Sequence, residues 1–356
     1  MIGTLWPYLA VMLLAAGLFP ALERAYAWRV FGVLPPIVFT YLFVTALAVA
    51  GLWSATDEIK ATQKALTAQL LPALLFLLMV TCDLRAILKL GPRVLGVFAC
   101  AMATILLAIV IVYLAMRNVL PPEGWKMLAA LSATWTGGSA NLVAVKQSIG
   151  LSEQLLPAVL LADALCYSTW IVLLFSAAAI APRFDRWTGA SSRAAVAGAH
   201  PAGNAPQPPD GAAGAHIGSV LLWLGGALAI ALAAAALAAA MPTSSYFTLT
   251  SWTVLFATIA GLVVAQTPLA RLPGPGGIAS ALLALLVAVL ASQSSFAGLG
   301  DAPLFVLAGF LVLALHALML AGCARVFRFD LHLAGVASLA QVGGPASAPV
   351  LAAAYD

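Results

Sequence analysis

A run of small polar residues interrupts the fifth apolar stretch of the chain, at residues 134–147, TWTGGSANLVAVKQ. Two adjacent glycines should break a helix, because glycine costs about 1 kcal/mol relative to alanine in a helix interior. Such a break at the bilayer centre is tolerated only where protein or a wet cavity supplies hydrogen-bond partners. Opened helices with polar surroundings are typical of the ion and solute sites of transporters. The candidate site residues in this segment are Thr134, Thr136, Gly137, Gly138, Ser139 and Asn141.

The same pattern returns at residues 338–350, SLAQVGGPASAPV, where the glycine pair lies 206 residues later (343 − 137). Pro345 and Pro349 make this second break harder. Two interrupted apolar segments in corresponding halves point to a transporter binding site. The alternative is that both glycine pairs only allow close helix packing. The candidate site residues here are Gln341, Gly343, Gly344 and Ser347, the last of which corresponds to Asn141.

Asp163, in LLADALCY, is the one acid well inside a predicted span. An ionisable group there is costly and is by default a functional hypothesis. Its helix follows the first broken segment and is expected to pack back against it. We therefore expect Asp163, together with Asn141, to ligate Na⁺ or to carry a proton. The alternative is a structural, hydrogen-bonded acid near an interface.

Two further ionisable residues lie in apolar spans, His316 and Lys146. We interpret His316 as a neutral, hydrogen-bonding packing residue in preference to a transport residue. Lys146 can reach the membrane surface along its aliphatic stem, or it can meet an anionic substrate. The positive ends of half-helix dipoles at the two breaks favour an anionic organic solute.

The composition is that of a polytopic helical membrane protein. Hydrophobic residues make up 63% of the 356 residues and charged residues only 8%, against about 25% charged in soluble domains. Mean hydropathy is +1.07. The small net charge of +4 comes from loop residues, so it reports topology and argues against nucleic-acid binding. The four cysteines lie in apolar spans and are interpreted as small buried hydrophobes.

A spanning helix needs about 20 apolar residues, and this length predicts about eleven transmembrane segments. They cover residues 5–22, 32–53, 66–84, 94–116, 125–147, 154–181, 217–240, 246–267, 277–296, 302–323 and 332–354. The fold predicted is all-α, with two structural repeats that each contain one discontinuous helix crossing at a Gly-Gly pair. The repeats cover 1–181 and 216–356, and a flexible Ala/Gly/Pro-rich linker joins them at 182–215.

The relative orientation of the repeats is not settled by the sequence. Basic residues cluster in loops that do not correspond between the halves, which favours inverted repeats. The broken segments are nevertheless six spans apart, and an even separation makes repeats parallel. We place the miscount between the fourth span and the linker.

Catalytic motifs are weak, and we expect no enzyme activity. GLGD at residues 298–301 matches the string of intramembrane aspartyl proteases, but the Tyr-Asp pair that such chemistry needs occurs only at residues 355–356. No zinc, phosphate-loop or nucleophile-elbow motif occurs in the sequence, and a channel would lack a filter signature. We expect no cofactor, Na⁺ excepted.

The strings TWTGGSANLVAVKQ and QVGGPASAPVLAAA, with the Asp163 helix between them, resemble the YjcL-like family of integral membrane proteins. That family looks similar to the superfamily of cation:proton antiporters and anion symporters, which includes the bile-acid:sodium symporters. The resemblance implies two unwound helices that cross near mid-membrane, at Gly137, Gly138, Asn141, Gly343 and Gly344. Such proteins continue with another helix after the second break, so the second repeat is expected to lack its last helix here.

The leading hypothesis is a Na⁺- or H⁺-coupled secondary transporter that moves a small organic solute by rocking of a core bundle against a scaffold. The alternative is a non-transporting membrane sensor or assembly component with the same fold. We expect a multi-pass protein of a bacterial inner (plasma) membrane. Its expected partners are the lipid bilayer and a small-molecule solute, with no nucleic acid, and a homodimer is left open.

Overall fold

The computed structural model describes residues 1–26, 28–32, 35–190, 217–244 and 247–343. Within these ranges the regular structure is helical, apart from one isolated β-bridge between Ile2 and Trp53. The α-helices are α1 (Leu5–Tyr26), α2 (Pro36–Val49), α3 (Asp57–Val80), α4 (Leu84–Lys89), α5 (Gly91–Met116), α6 (Gly124–Ile149), α7 (Leu156–Ala177), α8 (Ala181–Thr188), α9 (Ile217–Ala239), α10 (Leu249–Ala265), α11 (Pro275–Ala291), α12 (Ala302–Phe327) and α13 (Leu331–Val342).

The prediction of an all-α, multi-pass membrane protein is confirmed. Among the described residues, six helical stretches are long and apolar enough to cross a bilayer, and four shorter helices are also apolar. Each predicted span overlaps an α-helix, but α6, which corresponds to the fifth span, is in neither of these two groups. Large apolar side chains on the outer faces remain exposed, such as Leu318 and Val326 of α12 at 72% and 73%, as expected where lipid replaces water. The six stretches are Leu5–Tyr26, Asp57–Val80, Gly91–Met116, Glu153–Thr188, Ile217–Ala239 and Leu299–Phe327.

The chain divides into two compact units that do not follow the sequence halves. Unit 1 comprises residues 1–84, 147–157 and 206–297, and unit 2 comprises 85–146, 158–205 and 298–356. Helices α1, α2, α3, α9, α10 and α11 belong to unit 1, and the bodies of α5, α6, α7, α8, α12 and α13 to unit 2. Each half of the chain therefore supplies helices to both units. The predicted division into sequential repeats stays a prediction.

The region predicted as a linker begins with regular structure. Helix α8 covers Ala181–Thr188 and ends at Gly189, whose φ of 70° gives a left-handed cap. The amide nitrogens of Gly189 and Ala190 donate to the Asp185 carbonyl oxygen, which closes the helix. Residues 191–216, the Ala/Gly/Pro-rich part, lie outside the described residues.

Helix α3 forms the centre of unit 1 and packs against α9, α10 and α11. Its second half is buried almost throughout residues 70–77. Close approach to α10 depends on Gly261, because a Cβ there would lie 2.5 Å from the Phe76 carbonyl oxygen and 2.6 Å from the Met79 Cβ. The first half of α3 is polar and carries Gln63, Lys64 and Thr67.

Unit 2 packs α12 and α13 against α5. The N-terminus of α13 is fixed at two points: Asp330 Oδ1 accepts from the Leu333 amide at 2.7 Å, and Asp185 Oδ1 of α8 accepts from the Leu331 amide at 2.8 Å. These caps hold α13 in the position from which it approaches the second glycine pair. The apolar core between the three helices consists of Val97, Ala101, Leu320, Ala324, Phe329, Leu333, Ala334 and Ala337.

Candidate functional site

The first predicted break is present, at Gly138 in the middle of α6. Its φ of 77° and ψ of −176° are non-helical and fall in a region that is essentially accessible only to glycine. A Cβ on Gly138 would meet nothing within 4 Å. The requirement for glycine is therefore conformational, and it separates α6 into two half-helices as the sequence predicts.

Gly137 is needed for a different reason, the close approach of Asn141. A Cβ on Gly137 would lie 2.6 Å from Asn141 Nδ2 and 2.9 Å from Asn141 Cγ. The Asn141 amide folds back over the break, and its Nδ2 donates to the Ala133 carbonyl oxygen at 3.4 Å. The side chain thus supplies the kind of internal partner that a broken helix needs in a bilayer, and its Oδ1 remains an acceptor.

The flanking polar residues differ in their partners. Thr136 Oγ1 donates to the Ser132 carbonyl oxygen at 2.9 Å, so its hydroxyl proton is used within its own half-helix. Ser139 is only partly buried. Thr134 is 5% exposed, and its Oγ1 has no hydrogen-bond partner within the described part of the chain.

Asp163 lies against the first half-helix. Trp135 Nε1 donates to Asp163 Oδ1 at 2.9 Å, and Trp135 itself is fully buried. This bond joins α7 to α6 at Trp135, two residues before Gly137. It agrees with the expectation that the Asp163 helix packs back against the first broken segment. A carboxylate at membrane depth with one neutral donor still needs a proton or a cation to offset its charge.

The second segment is described only as far as its first glycine. Helix α13 ends at Val342, and the Gly343 amide donates to the Leu339 carbonyl oxygen at 2.7 Å. Gln341 is 2% exposed; its Nε2 donates to the Phe98 carbonyl oxygen at 3.5 Å. Its Oε1 has no hydrogen-bond partner among the described residues. Gly344 and Ser347 lie outside the described residues, and their predicted roles stay predictions.

The orphaned oxygens of Thr134 and Gln341 need an explanation. A buried acceptor without a partner costs about 1–3 kcal/mol, and such groups in native proteins usually face water, an ion or a ligand. Both belong to the residues that the sequence pattern singles out around the two glycine pairs. Their positions are consistent with a site that is completed by a bound group.

Lys146 does not reach the membrane surface. It lies in the second half-helix of α6 and is only 2% exposed, so the interpretation as a surface-reaching lysine is wrong. The neighbouring Val143 and Ala144 are buried too. A positive charge buried there leaves the alternative, a role towards an anion, as a prediction.

His316 occupies the centre of a hydrogen-bonded chain that sequence reasoning missed. Its Nδ1 lies 2.9 Å from Thr104 Oγ1 and its Nε2 lies 2.8 Å from Ser338 Oγ. Thr104 already donates to the Cys100 carbonyl oxygen at 2.8 Å, and Ser338 accepts from Trp170 Nε1 at 3.0 Å. The set is satisfied if neutral His316 donates from Nδ1 and accepts at Nε2.

This chain joins α7, α13, α12 and α5. It ties the helix that carries Asp163 to the helix that leads to the second glycine pair, within unit 2. The packing interpretation of His316 therefore fits the geometry. The only sequence signal is that Thr104, Trp170 and Ser338 are isolated polar groups in apolar spans, and no spacing relates them.

The oxygen donors fit a hard monovalent cation better than a transition metal. Carboxylate, amide, hydroxyl and carbonyl oxygens are the ligands that hard cations prefer, and Asp163, Asn141, Thr134 and Gln341 offer such atoms. Within the described ranges, no cluster of three or more His, Cys, Asp or Glu side chains is suited to a metal. Na⁺, the ion expected from the sequence, stays a prediction.

Comparison with known proteins gives one family. Residues 9–356 match the model of the family described as "Protein of unknown function (DUF819)". No curated protein and no solved structure matches the chain. The resemblance to the YjcL-like family and to the transporter superfamily stays a prediction. Because the match covers nearly the whole chain, the protein belongs to the DUF819 family of membrane-spanning helical proteins.

Proposed function

We propose that this protein is a secondary active transporter of the bacterial inner membrane that moves a small organic solute by alternating access, coupled to Na⁺ or H⁺. The observation that carries the proposal is the glycine-dependent break of α6 at Gly138, next to the Asp163 carboxylate bonded by Trp135. A break in a membrane helix requires protein groups or a wet cavity to satisfy the freed backbone, and discontinuous helices typically form the ion and solute sites of transporters.

Each residue at the break has a separate role in the proposed ion site. Asp163 supplies the negative charge, which a proton or Na⁺ neutralises when bound. Thr134 Oγ1 and Asn141 Oδ1 supply neutral oxygens, and Trp135 keeps the carboxylate oriented through its 2.9 Å bond. Gly137 and Gly138 hold the two half-helices apart. Ion coupling follows if protonation of Asp163, or Na⁺ binding to it, alters the stability of the broken helix.

The test is ion-dependent stability of the purified full-length protein. We expect Na⁺, compared with choline at equal ionic strength, or a change in pH to shift the thermal unfolding midpoint. Asp163→Asn and Asn141→Ala should lose most of that shift, because they remove the charge and the amide. Binding that stabilises the folded state raises its unfolding free energy by about 2.7 kcal/mol at a hundredfold excess over Kd.

The matched control is Glu123→Gln. Glu123 is paired with Lys126 at 2.7 Å outside the break, so its neutralisation should leave the ion response unchanged. Indifference of the unmodified protein to each cation and to pH would favour the alternative, a non-transporting sensor or assembly component. A full response in Asp163→Asn would show that the ion binds elsewhere.

A further inference from the structure

Unit 1 contains a cavity that includes none of the candidate residues at the glycine break, although Gln147 in the last turn of α6 contributes to its wall. Its volume is about 500 Å³, which is within the usual range for small-molecule sites. The wall is formed by the polar first half of α3, the start of α10, the short helix at residues 153–155 and the residues after α11. Among the described lining residues, Lys64 is the only cation and Glu153 the only anion.

The wall is more apolar than polar, and several of its polar groups offer hydrogen-bond acceptors. Thr67 and Thr253 donate their hydroxyl protons to carbonyl oxygens of their own helices, at 2.8 and 2.9 Å. Gln293 Nε2 donates to the Val289 carbonyl oxygen at 3.3 Å, which leaves its Oε1 as an acceptor. Gln69 Oε1 is buried without a partner in the described part of the chain, and Glu153 adds a carboxylate.

Hydrogen bonds from residues that do not line the cavity fix the positions of Glu153 and Gln293. The Glu153 carbonyl oxygen accepts from Tyr41 at 3.1 Å and from Ser294 at 2.8 Å. Ser292, next to Gln293, accepts from Gln63 Nε2 at 2.9 Å and lies 2.6 Å from the Tyr8 hydroxyl. These hydrogen bonds fix the backbone on both sides of the cavity. A preorganised wall of this kind lowers the entropy cost of ligand binding.

We propose that this cavity binds a small solute with an ammonium group, either an amino acid or the corresponding amine. Its N–H groups donate to the Glu153 carboxylate and to the amide oxygens of Gln69 and Gln293. In an amino acid, the carboxylate lies towards Lys64. Charge-assisted bonds to Glu153 supply the larger part of the recognition, and the amide oxygens of Gln69 and Gln293 favour a ligand with N–H donors.

This inference goes beyond the proposed transport function and does not depend on it, since binding is measured without transport. The two are separable experimentally, because Asp163→Asn is expected to retain solute binding. Absence of an ion response in the unmodified protein, with solute binding intact, would contradict only the transport proposal. Absence of binding with the ion response intact would contradict only the cavity proposal.

The experiment uses the full-length protein in detergent. The standard amino acids, the matching amines and the matching N-trimethyl betaines are each tested for a rise in the thermal unfolding midpoint, and positive probes are titrated calorimetrically. We expect at least one amino acid or amine to bind and its betaine, which has no N–H donor, to fail. An amine that binds as tightly as its amino acid would place the ammonium, and not the carboxylate, at the centre of recognition.

Three variants locate the ligand in the cavity. Glu153→Gln, which keeps the side-chain shape, and Gln69→Leu should each weaken binding about tenfold or more. Lys64→Met should weaken an amino acid but leave its amine unchanged. The control is Gln266→Leu, because Gln266 is an exposed glutamine at the end of α10 outside the cavity. Failure of all probes, equal binding of a betaine, or unchanged affinity in both Glu153→Gln and Gln69→Leu would overturn the proposal.

Discussion

Two buried polar sites, the one around Ser292 in unit 1 and the one around Gly138 in unit 2, differ in how completely their polar groups are hydrogen-bonded. In unit 1, Ser292 accepts from Gln63, bonds to Tyr8 and donates to the Val289 carbonyl oxygen at 2.6 Å. Its own carbonyl oxygen accepts from Trp53 Nε1 at 3.1 Å. In unit 2, the break at Gly138 is flanked by Thr134, whose buried hydroxyl has no partner among the described residues.

This difference separates two uses of polarity in a membrane protein. A fully bonded network such as that at Ser292 stabilises a fixed wall, because each partner would be costly if left alone. A buried oxygen without a partner lowers the stability of the empty protein, and a bound group is one explanation for it. Removal of the Ser292 hydroxyl and removal of the Thr134 hydroxyl should therefore have opposite consequences.

The largest expected effect is that of Ser292→Ala in unit 1. The substitution leaves the Tyr8 hydroxyl and the Gln63 amide buried without their shared partner, and both side chains are under 10% exposed. We expect a loss of about 1–4 kcal/mol in unfolding free energy, measured by denaturant titration in detergent. Ser280→Ala is the control, since Ser280 is exposed and bonds only to its own helix. Equal stability of the two variants would contradict the wall described for unit 1.

Gly138→Ala tests whether α6 needs the glycine conformation at its break. The native φ of 77° is strained for any residue with a Cβ, so we expect a loss of about 1–3 kcal/mol together with loss of the ion response. Gly225→Ala in α9 is the matched control, because a Cβ there meets nothing within 4 Å. Alanine in a regular helix should be neutral or stabilising by up to about 1 kcal/mol. Identical unfolding of Gly138→Ala and the unmodified protein would mean that α6 does not need its break.

The break could be predicted from sequence because its causes are local. Adjacent glycines, Thr136 and Asn141 lie within a single turn or two of α6, and the following helix that carries Asp163 had to return towards them. The exact contact through Trp135 required the structure. The second segment gave the same local signal, but it extends past Gly343, where the description stops.

The polar wall of unit 1 could not be predicted in the same way. Tyr8 and Ser292 are 284 residues apart, and Gln63 and Ser292 are 229 apart. Tyr8 lies in an apolar stretch, Gln63 lies in the polar first half of α3 and Ser292 begins the polar run at residues 292–295, and no local pattern relates the three. Only tertiary packing brings them together, and the division of each chain half between two units adds a further step that hydropathy does not encode.

The smallest expected effect, and the sharpest contrast with Ser292, is that of Thr134→Val. The change preserves shape and removes a buried hydroxyl without a partner among the described residues, so the ion-free protein should lose no stability and should gain about 1 kcal/mol, the lower end of the cost of an unpaired buried group. The Na⁺-dependent shift in the unfolding midpoint should nevertheless decrease. Thr104→Val is the control within the same unit, because Thr104 is bonded to His316 at 2.9 Å and its loss should be destabilising. If Thr134→Val were as destabilising as Thr104→Val without sodium, the Thr134 hydroxyl would already be satisfied, and it would not be a ligand for an ion.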